Sequence, residues 1–225
     1  MNLDYDCYNY HKNGNPNGNK IVLLTKDNAD KIENKIKIDD DYFPFSKNIF
    51  DFYGTQDVIK DTNRALFAVV RMIDRDNNTG VWRYGHKKQF YKMIDYIKDR
   101  RNNFFNRLND QNKGDTTLPD EIVVACGTEV KSLSSKVCKY LCEFIYQGDN
   151  YYINDRVVRH ILLFYLDYYG VQHNLSNNKV DELSYVDLYS LLTKLHNARN
   201  AEHNGTITKS QLDHILWYCY KSFDI

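Results

Sequence analysis

Helical periodicity over most of its length is the feature that most constrains how this chain can fold. From about residue 40 onward, apolar residues recur at the spacing of amphipathic helices, and polar breaks containing Gly, Pro or Asn separate the periodic segments. Strand signals after residue 40 are sparse, and no repeat of a solenoid period is evident. The sequence therefore predicts a mainly α-helical protein, with its main helical segments at residues 55–76, 85–110, 119–127, 128–146, 155–171, 184–203 and 208–223.

Residues 1–40 have a different character. They are polar and rich in Asn, Asp and Lys, and NGNPNGN at residues 13–19 is typical of a loop or of disorder. The stretch KIVLLT at residues 20–25 predicts one short strand. We therefore expect a polar, accessory or partly disordered N-terminus over residues 1–40, irregular or with a short strand, and one helical domain over residues 41–225.

Charge and composition narrow the classes of function. Thirty Lys and Arg balance thirty Asp and Glu in the 225 residues, so no net field draws the protein to nucleic acid or to an anionic membrane, although a local basic patch remains compatible. No apolar stretch approaches the roughly 18 residues of a membrane span, and the first residues lack the order of a signal peptide. We expect a cytoplasmic protein without a membrane partner.

The five cysteines indicate free thiols, because an odd number scattered through a chain without an export signal does not make a disulfide framework. Cys138 and Cys142 would share one face of a helix, where core packing is favoured over a role as two metal ligands. No metal-ligand set, phosphate-binding glycine loop or Gly-x-Ser-x-Gly elbow is evident. The sequence therefore predicts neither a cofactor nor a metal.

The most specific arrangement of residues lies between positions 129 and 169. A helix carries Lys136 near its start, the polar and aromatic connection QGDNYYIND follows, and Asn154 or Asp155 is the natural N-cap of the next helix. Lys136 and Asp155 stand nineteen residues apart. An amine and a carboxylate are a workable minimum for cutting an N-glycosidic bond, because one supplies a nucleophile and the other stabilises positive charge on the sugar.

This arrangement resembles the helix-hairpin-helix DNA glycosylase superfamily, in which a Gly-x-Gly-x-Lys-Thr-Ala motif precedes Asp-x-x-Val-x-Arg by a similar number of residues. The chain is most similar to a divergent branch with a Ser-Leu-Ala-Ser-Lys motif followed by Ile-Tyr-Asp-Ser, which correspond here to SLSSK and YINDR. LSYVDLYSLLTKL and SQLDHILWYCYK also resemble the closing helices of that branch. The resemblance covers Thr128 to Ser222.

The resemblance implies a DNA-glycosylase-like protein of base-excision repair, which flips a modified base out of DNA into a pocket. It implies Asp155 as the catalytic carboxylate and Lys136 as the nucleophile that forms a Schiff base, with Lys131 or Lys139 as alternative amines. The residues expected to contact the substrate are Ser135, Tyr152, Arg156 and Arg159. The hairpin glycines of the family are replaced by VKSLSSK, so contacts to the DNA backbone have to come from other residues.

Two other interpretations stay open. LHNARNAEHNGTIT resembles the Arg-Asn-x-x-x-His motif of HEPN ribonucleases, which implies Arg199 and His203 as an RNA-cleaving pair on one helix. The second is a non-catalytic helical interaction protein. In addition, RYGHKK at residues 83–88 precedes a basic amphipathic helix that can contact phosphate or simply face water, and the nineteen tyrosines can stack on bases or pack in the core.

Overall fold

The computed structural model describes residues 2–7, 20–38, 45–61, 64–175, 179–202 and 204–221. The prediction of a mainly α-helical protein with a strand-containing N-terminal segment is confirmed. Within the described residues the strands are β1 (Tyr5–Cys7) and β2 (Lys20–Val22), and the helices are α1 (Lys26–Ile38), α2 (Phe45–Lys60), α3 (Ala65–Asp76), α4 (Lys87–Asp99), α5 (Arg101–Leu108), α6 (Leu118–Cys126), α7 (Lys131–Tyr146), α8 (Arg156–Tyr168), α9 (Tyr185–Glu202) and α10 (Lys209–Lys221).

The chain forms two compact units. We call residues 1–41 together with residues 155–225 the terminal unit, and residues 42–154 the central unit. In the terminal unit β1 and β2 pair antiparallel, with Asp6 opposite Ile21. Helix α10 packs against α1, α8 and β2, so it is the element around which this unit is built.

Residues 20–38 belong to the core of the terminal unit. The predicted strand in KIVLLT is present as β2, and Ile21 and Leu24 are fully buried. The hydroxyl of Tyr165 donates a hydrogen bond to the carbonyl oxygen of Val22 at 2.7 Å, and the N–H of Leu24 donates to the hydroxyl of Tyr169 at 2.9 Å. Residues 22 and 24 are therefore bound to side chains at the C-terminal end of α8. The predicted NGNPNGN loop lies outside the described residues.

The central unit is organised around α7, which packs against α2, α3, α5 and α6. The apolar residues Leu133, Val137 and Leu141 are fully buried, as their spacing predicts. Two segments that show one periodic pattern in the sequence are each divided in the structure. Residues 55–76 divide between α2 and α3, and residues 85–110 divide at Arg100, whose φ of −110° and ψ of 19° interrupt the helix.

Candidate functional site

The first half of α7 holds a set of buried polar side chains. Ser134, Ser135, Lys136 and Lys139 are each at most 4% exposed. Lysine is rarely buried unless its ammonium has a partner, so the contacts of these side chains need a physical explanation. All four lie in the central unit, which also contains the connection that leads to α8.

Ser135 links α7 to the end of that connection. Its hydroxyl donates to the carbonyl oxygen of Ser132 at 3.0 Å and accepts a hydrogen bond from the N–H of Asn154 at 2.9 Å. Since Asn154 directly precedes Asp155, the serine fixes the backbone immediately before α8.

Lys136 contacts the C-terminal end of α3. Its ammonium donates to the carbonyl oxygen of Asn77 at 3.4 Å, and the hydroxyl of Tyr140, one turn further along α7, donates to the side-chain oxygen of Asn77 at 3.0 Å. The last carbonyl groups of a helix have no partner within the helix and carry partial negative charge, so a cation is favourable there. Lys136 is thus buried at an electrostatically suitable place.

The two alternative amines differ from Lys136. The ammonium of Lys139 lies 3.3 Å from the carboxylate of Asp149, and the lysine side chain is only 5% exposed. An amine engaged by a carboxylate is less available to attack a substrate. Lys131 lies in the first turn of α7 and is half-buried.

Asp155 is the N-cap of α8, as the sequence predicts. Its φ of −126° and ψ of 177° place it outside the helix, and its Oδ1 accepts a hydrogen bond from the N–H of Val158 at 3.0 Å. The residue is half-buried, so its carboxylate is not confined to the protein core. An aspartate in this position satisfies one of the free N–H groups at the start of the helix.

The remaining substrate-contact candidates have different surroundings. Arg156 is exposed on the first turn of α8, whereas the guanidinium of Arg159 donates to the carbonyl oxygen of Asp181 at 3.0 Å. Tyr152 is buried. Of the predicted site, Ser135, Lys136 and Tyr152 belong to the central unit, and Asp155 with the two arginines belongs to the terminal unit.

The turn before α7 does not offer a phosphate site of the kind that hairpin glycines form. Helices α6 and α7 pack against each other and are joined by Gly127 and a 3-10 turn over Thr128–Val130. A Cβ added at Gly127 would meet the carboxylate of Glu129 at 2.5 Å. A carboxylate so close to the turn repels phosphate, so nucleic-acid contacts need another surface.

Arg199, from the predicted ribonuclease motif, is fully buried in the terminal unit. Its guanidinium donates to the carbonyl oxygens of Leu24 and Gly205, and to the side-chain oxygen of Asn200 at 2.6 Å. Burial lowers the pKa of Arg199 from its ordinary value. The arginine therefore joins three segments of the chain, while His203 lies outside the described residues.

Cys138 and Cys142 pack in the core of the central unit, and all five cysteines are free thiols, which confirms the prediction for them. Burial raises the pKa of both Cys138 and Cys142, so neither is inclined to form the thiolate that a metal or a substrate requires. Among the described residues, no group of three or more His, Cys, Asp or Glu is arranged to hold a metal ion.

The sequence did not predict the role of Asp74, which holds the loop that follows α3. Asp74 of α3 is buried, and its Oδ1 accepts hydrogen bonds from the hydroxyl of Thr79 and from the N–H of Val81 at 2.9 Å. Its Oδ2 accepts from the N–H of Trp82 at 3.1 Å and lies 3.4 Å from the guanidinium of Arg71. The sequence signal was a carboxylate on the apolar face of a predicted helix. Burying a carboxylate costs free energy unless hydrogen bonds or an ion pair compensate for the lost water.

Comparison of the chain with protein-family models, with curated protein sequences and with solved structures finds no match. In the part of the chain that the structure describes, no helix has the length and apolar character needed to cross a membrane. The function must therefore be inferred from the residues of the chain itself.

Proposed function

We propose that this chain is a DNA-glycosylase-like protein that acts on a modified base, or descends from enzymes that do, with Asp155 as its essential carboxylate and Lys136 as its amine. The observation that carries the proposal is the geometry of Asp155. Its carboxylate is held at the start of α8 by the N–H of Val158, and it remains half-buried rather than enclosed. A carboxylate held in place can stabilise positive charge that develops on a sugar.

Lys136 is the amine that matches the lysine of the family motif. Its ammonium donates a hydrogen bond to the carbonyl oxygen of Asn77, whereas the ammonium of Lys139 is paired with the carboxylate of Asp149. In the proposed reaction the neutral amine attacks C1′ of the deoxyribose while the bond to the base breaks, and the base leaves with the bonding electrons and takes up a proton. Asp155 stabilises the positive charge on the sugar, and the proton that the amine releases passes to solvent.

Borohydride trapping tests this chemistry. The C1′–O4′ bond of the amine adduct breaks, O4′ takes up a proton, and the resulting Schiff base at C1′ is reduced by borohydride to a stable amine. Wild-type protein should form an adduct with oligonucleotides that carry an oxidised base or an abasic site. Lys136→Gln should abolish the adduct, and Lys139→Gln is the matched control, since it removes an equally buried lysine from the same helix.

Asp155→Asn separates the structural role of this residue from the chemical one. Asparagine is as good an N-cap as aspartate but has no negative charge, so α8 should remain intact while base release is lost. An adduct that persists in Lys136→Gln would remove Lys136 from the mechanism. Absence of any adduct with the wild-type protein would contradict catalysis and favour a non-catalytic descendant of the family.

The ribonuclease interpretation has less support from the surroundings of its residues. A catalytic arginine has to reach the phosphate of RNA, but the guanidinium of Arg199 is enclosed and bound to Leu24, Asn200 and Gly205. We therefore interpret Arg199 as a structural residue and propose no second function.

A further inference from the structure

Aromatic and basic side chains cluster on the central unit around Trp82. We call this cluster the Trp82 surface and define it by six residues of α3, α4 and the loop between them, namely Arg71, Trp82, Arg83, Tyr84, Lys87 and Tyr91. Tyr84 is 63% exposed and Tyr91 is 48% exposed. Because these exposed rings stand beside several basic side chains, the surface is a candidate binding site.

The rings of this surface are anchored in the core. The centroid of the Trp82 ring lies 5.5 Å from that of Tyr91 and 5.3 Å from that of Phe90, which is fully buried. The ring of Tyr84 lies against Gly80, where an added Cβ would meet two ring carbons at 2.2 Å. The aromatic part is therefore held in position before any ligand binds, which lowers the entropy cost of binding.

Positive charge surrounds the rings. The guanidinium of Arg71 and the ammonium of Lys87 lie 5.2 Å and 5.1 Å from the centroid of Trp82, and the guanidinium of Arg83 lies 5.8 Å from that of Tyr84. Residues 81–92 contain four Lys or Arg and no Asp or Glu. Arg71 is paired with the buried carboxylate of Asp74, so the positive charge available to an anionic ligand comes from Arg83 and Lys87.

The start of α4 adds a second reason to expect an anion. The helix begins with Lys87 and Lys88, it has no acidic residue in its first turn, and His86 provides no side-chain cap. Cations are unfavourable at a helix N-terminus, where the backbone N–H groups already carry partial positive charge. Phosphate is favourable at the same place because it binds both the N–H groups and the lysines.

We propose that the Trp82 surface binds single-stranded nucleic acid, with Tyr84 and Tyr91 stacking on bases and with Arg83 and Lys87 contacting phosphates. A duplex presents the phosphates but hides the faces of its bases, and an acidic peptide has no flat rings to stack. The surface therefore fits a single strand better than either of these. Neither Asp155 nor Lys136 takes part, so this inference is independent of the proposed glycosylase chemistry.

Fluorescence anisotropy measures this binding on the whole protein. The probes are labelled oligothymidylate and oligouridylate of about 12 nucleotides, a length within the usual site sizes of single-strand binders. We expect micromolar affinity for a single strand and weaker binding of a duplex of equal length. Between about 50 and 200 mM salt, the affinity should fall with a log–log slope of about −0.7 for each phosphate contacted.

Variants assign the binding to individual residues. Tyr84→Ala and Tyr91→Ala should each weaken binding by at least about fivefold through the loss of base stacking. Lys87→Gln should reduce the salt slope by about 0.7, because one phosphate contact is lost. Phe52→Ala is the matched control, since it removes an aromatic residue of the same unit that is 80% exposed.

Trp82 provides a direct optical test. The chain has two tryptophans, so the Trp217→Phe variant leaves Trp82 as the sole reporter, and its fluorescence should change when the oligonucleotide binds. The inference is overturned if the duplex binds as tightly as the single strand, if polyglutamate competes equally well, or if Tyr84→Ala and Phe52→Ala have equal affinity. Asp155→Asn should bind normally, so failure of the glycosylase proposal leaves this result unaffected.

Discussion

Lys136 on α7 and Arg199 on α9 are both buried cations, yet the structure holds them in different ways. Arg199 uses its planar guanidinium to bind the carbonyl oxygens of Leu24 and Gly205, which belong to separate segments of the terminal unit. The ammonium of Lys136 donates to Asn77 at 3.4 Å, a distance at the long end of the range for hydrogen bonds. Burial of a cation is therefore compatible with more than one set of hydrogen-bond acceptors, and substitution measures how much each set stabilises the fold.

Replacement of Arg199 should have the largest effect on stability. Arg199→Met leaves the carbonyl oxygens of buried Leu24 and of Gly205 without the guanidinium as donor, and the free energy of unfolding should fall by about 3 kcal/mol. Urea denaturation followed by Trp217, made the sole tryptophan by Trp82→Phe, measures this within the terminal unit. A loss below about 1 kcal/mol would contradict the structural role.

Ser135 offers an uncharged comparison on α7. Ser135→Ala removes the acceptor of the Asn154 N–H, which is buried, so the central unit should lose about 1 to 2 kcal/mol. Denaturation followed by Trp82 in the Trp217→Phe background measures the change. Ser132→Ala is the control, because Ser135 contacts only the main-chain oxygen of that residue and the substitution retains it. Equal stability of the two variants would show that the link to Asn154 is unimportant.

Local features of the fold were predictable from the sequence, whereas long-range contacts were not. Asp155 caps the start of α8. At the start of α10, the hydroxyl of Thr208 accepts a hydrogen bond from the N–H of Gln211 at 3.1 Å. Both caps are predictable because they depend only on residue types within one helical turn. The placement of residues 20–24 beside α8 depends on Tyr165 and Tyr169, more than a hundred residues away. No local pattern encodes such a pairing.

The same distinction applies to the candidate site. The sequence indicates that Lys136 and Asp155 are polar residues beside apolar runs, but burial of the lysine and its contact with Asn77 depend on the packing of α3 against α7. The Trp82 surface likewise depends on Asp74, which orders the loop backbone at Val81 and Trp82. The sequence predicted a basic loop at residues 83–88 but did not show that aromatic rings lie beside it.

Asp155 allows the capping role to be separated from chemistry. Asp155→Ala removes the acceptor for the N–H of Val158, and the terminal unit should lose about 1 kcal/mol. Asp155→Asn should cost less than about half of that, because asparagine caps equally well. Denaturation followed by Trp217 compares the two variants. If asparagine destabilises the unit as much as alanine, the negative charge itself stabilises α8 and loss of activity in that variant is not a clean chemical test.

The smallest effect is expected at Lys136, and it decides the comparison with Arg199. Lys136→Met keeps most of the buried volume, and the added apolar surface offsets the loss of the contact with Asn77, so stability should change by less than about 1 kcal/mol. Lys139→Met is the matched control and should cost more, since it leaves Asp149 without its ion pair. Both are measured through Trp82 in the Trp217→Phe background. A loss near that of Arg199→Met would make Lys136 a structural residue, whereas a negligible loss would show that its contacts contribute little to stability.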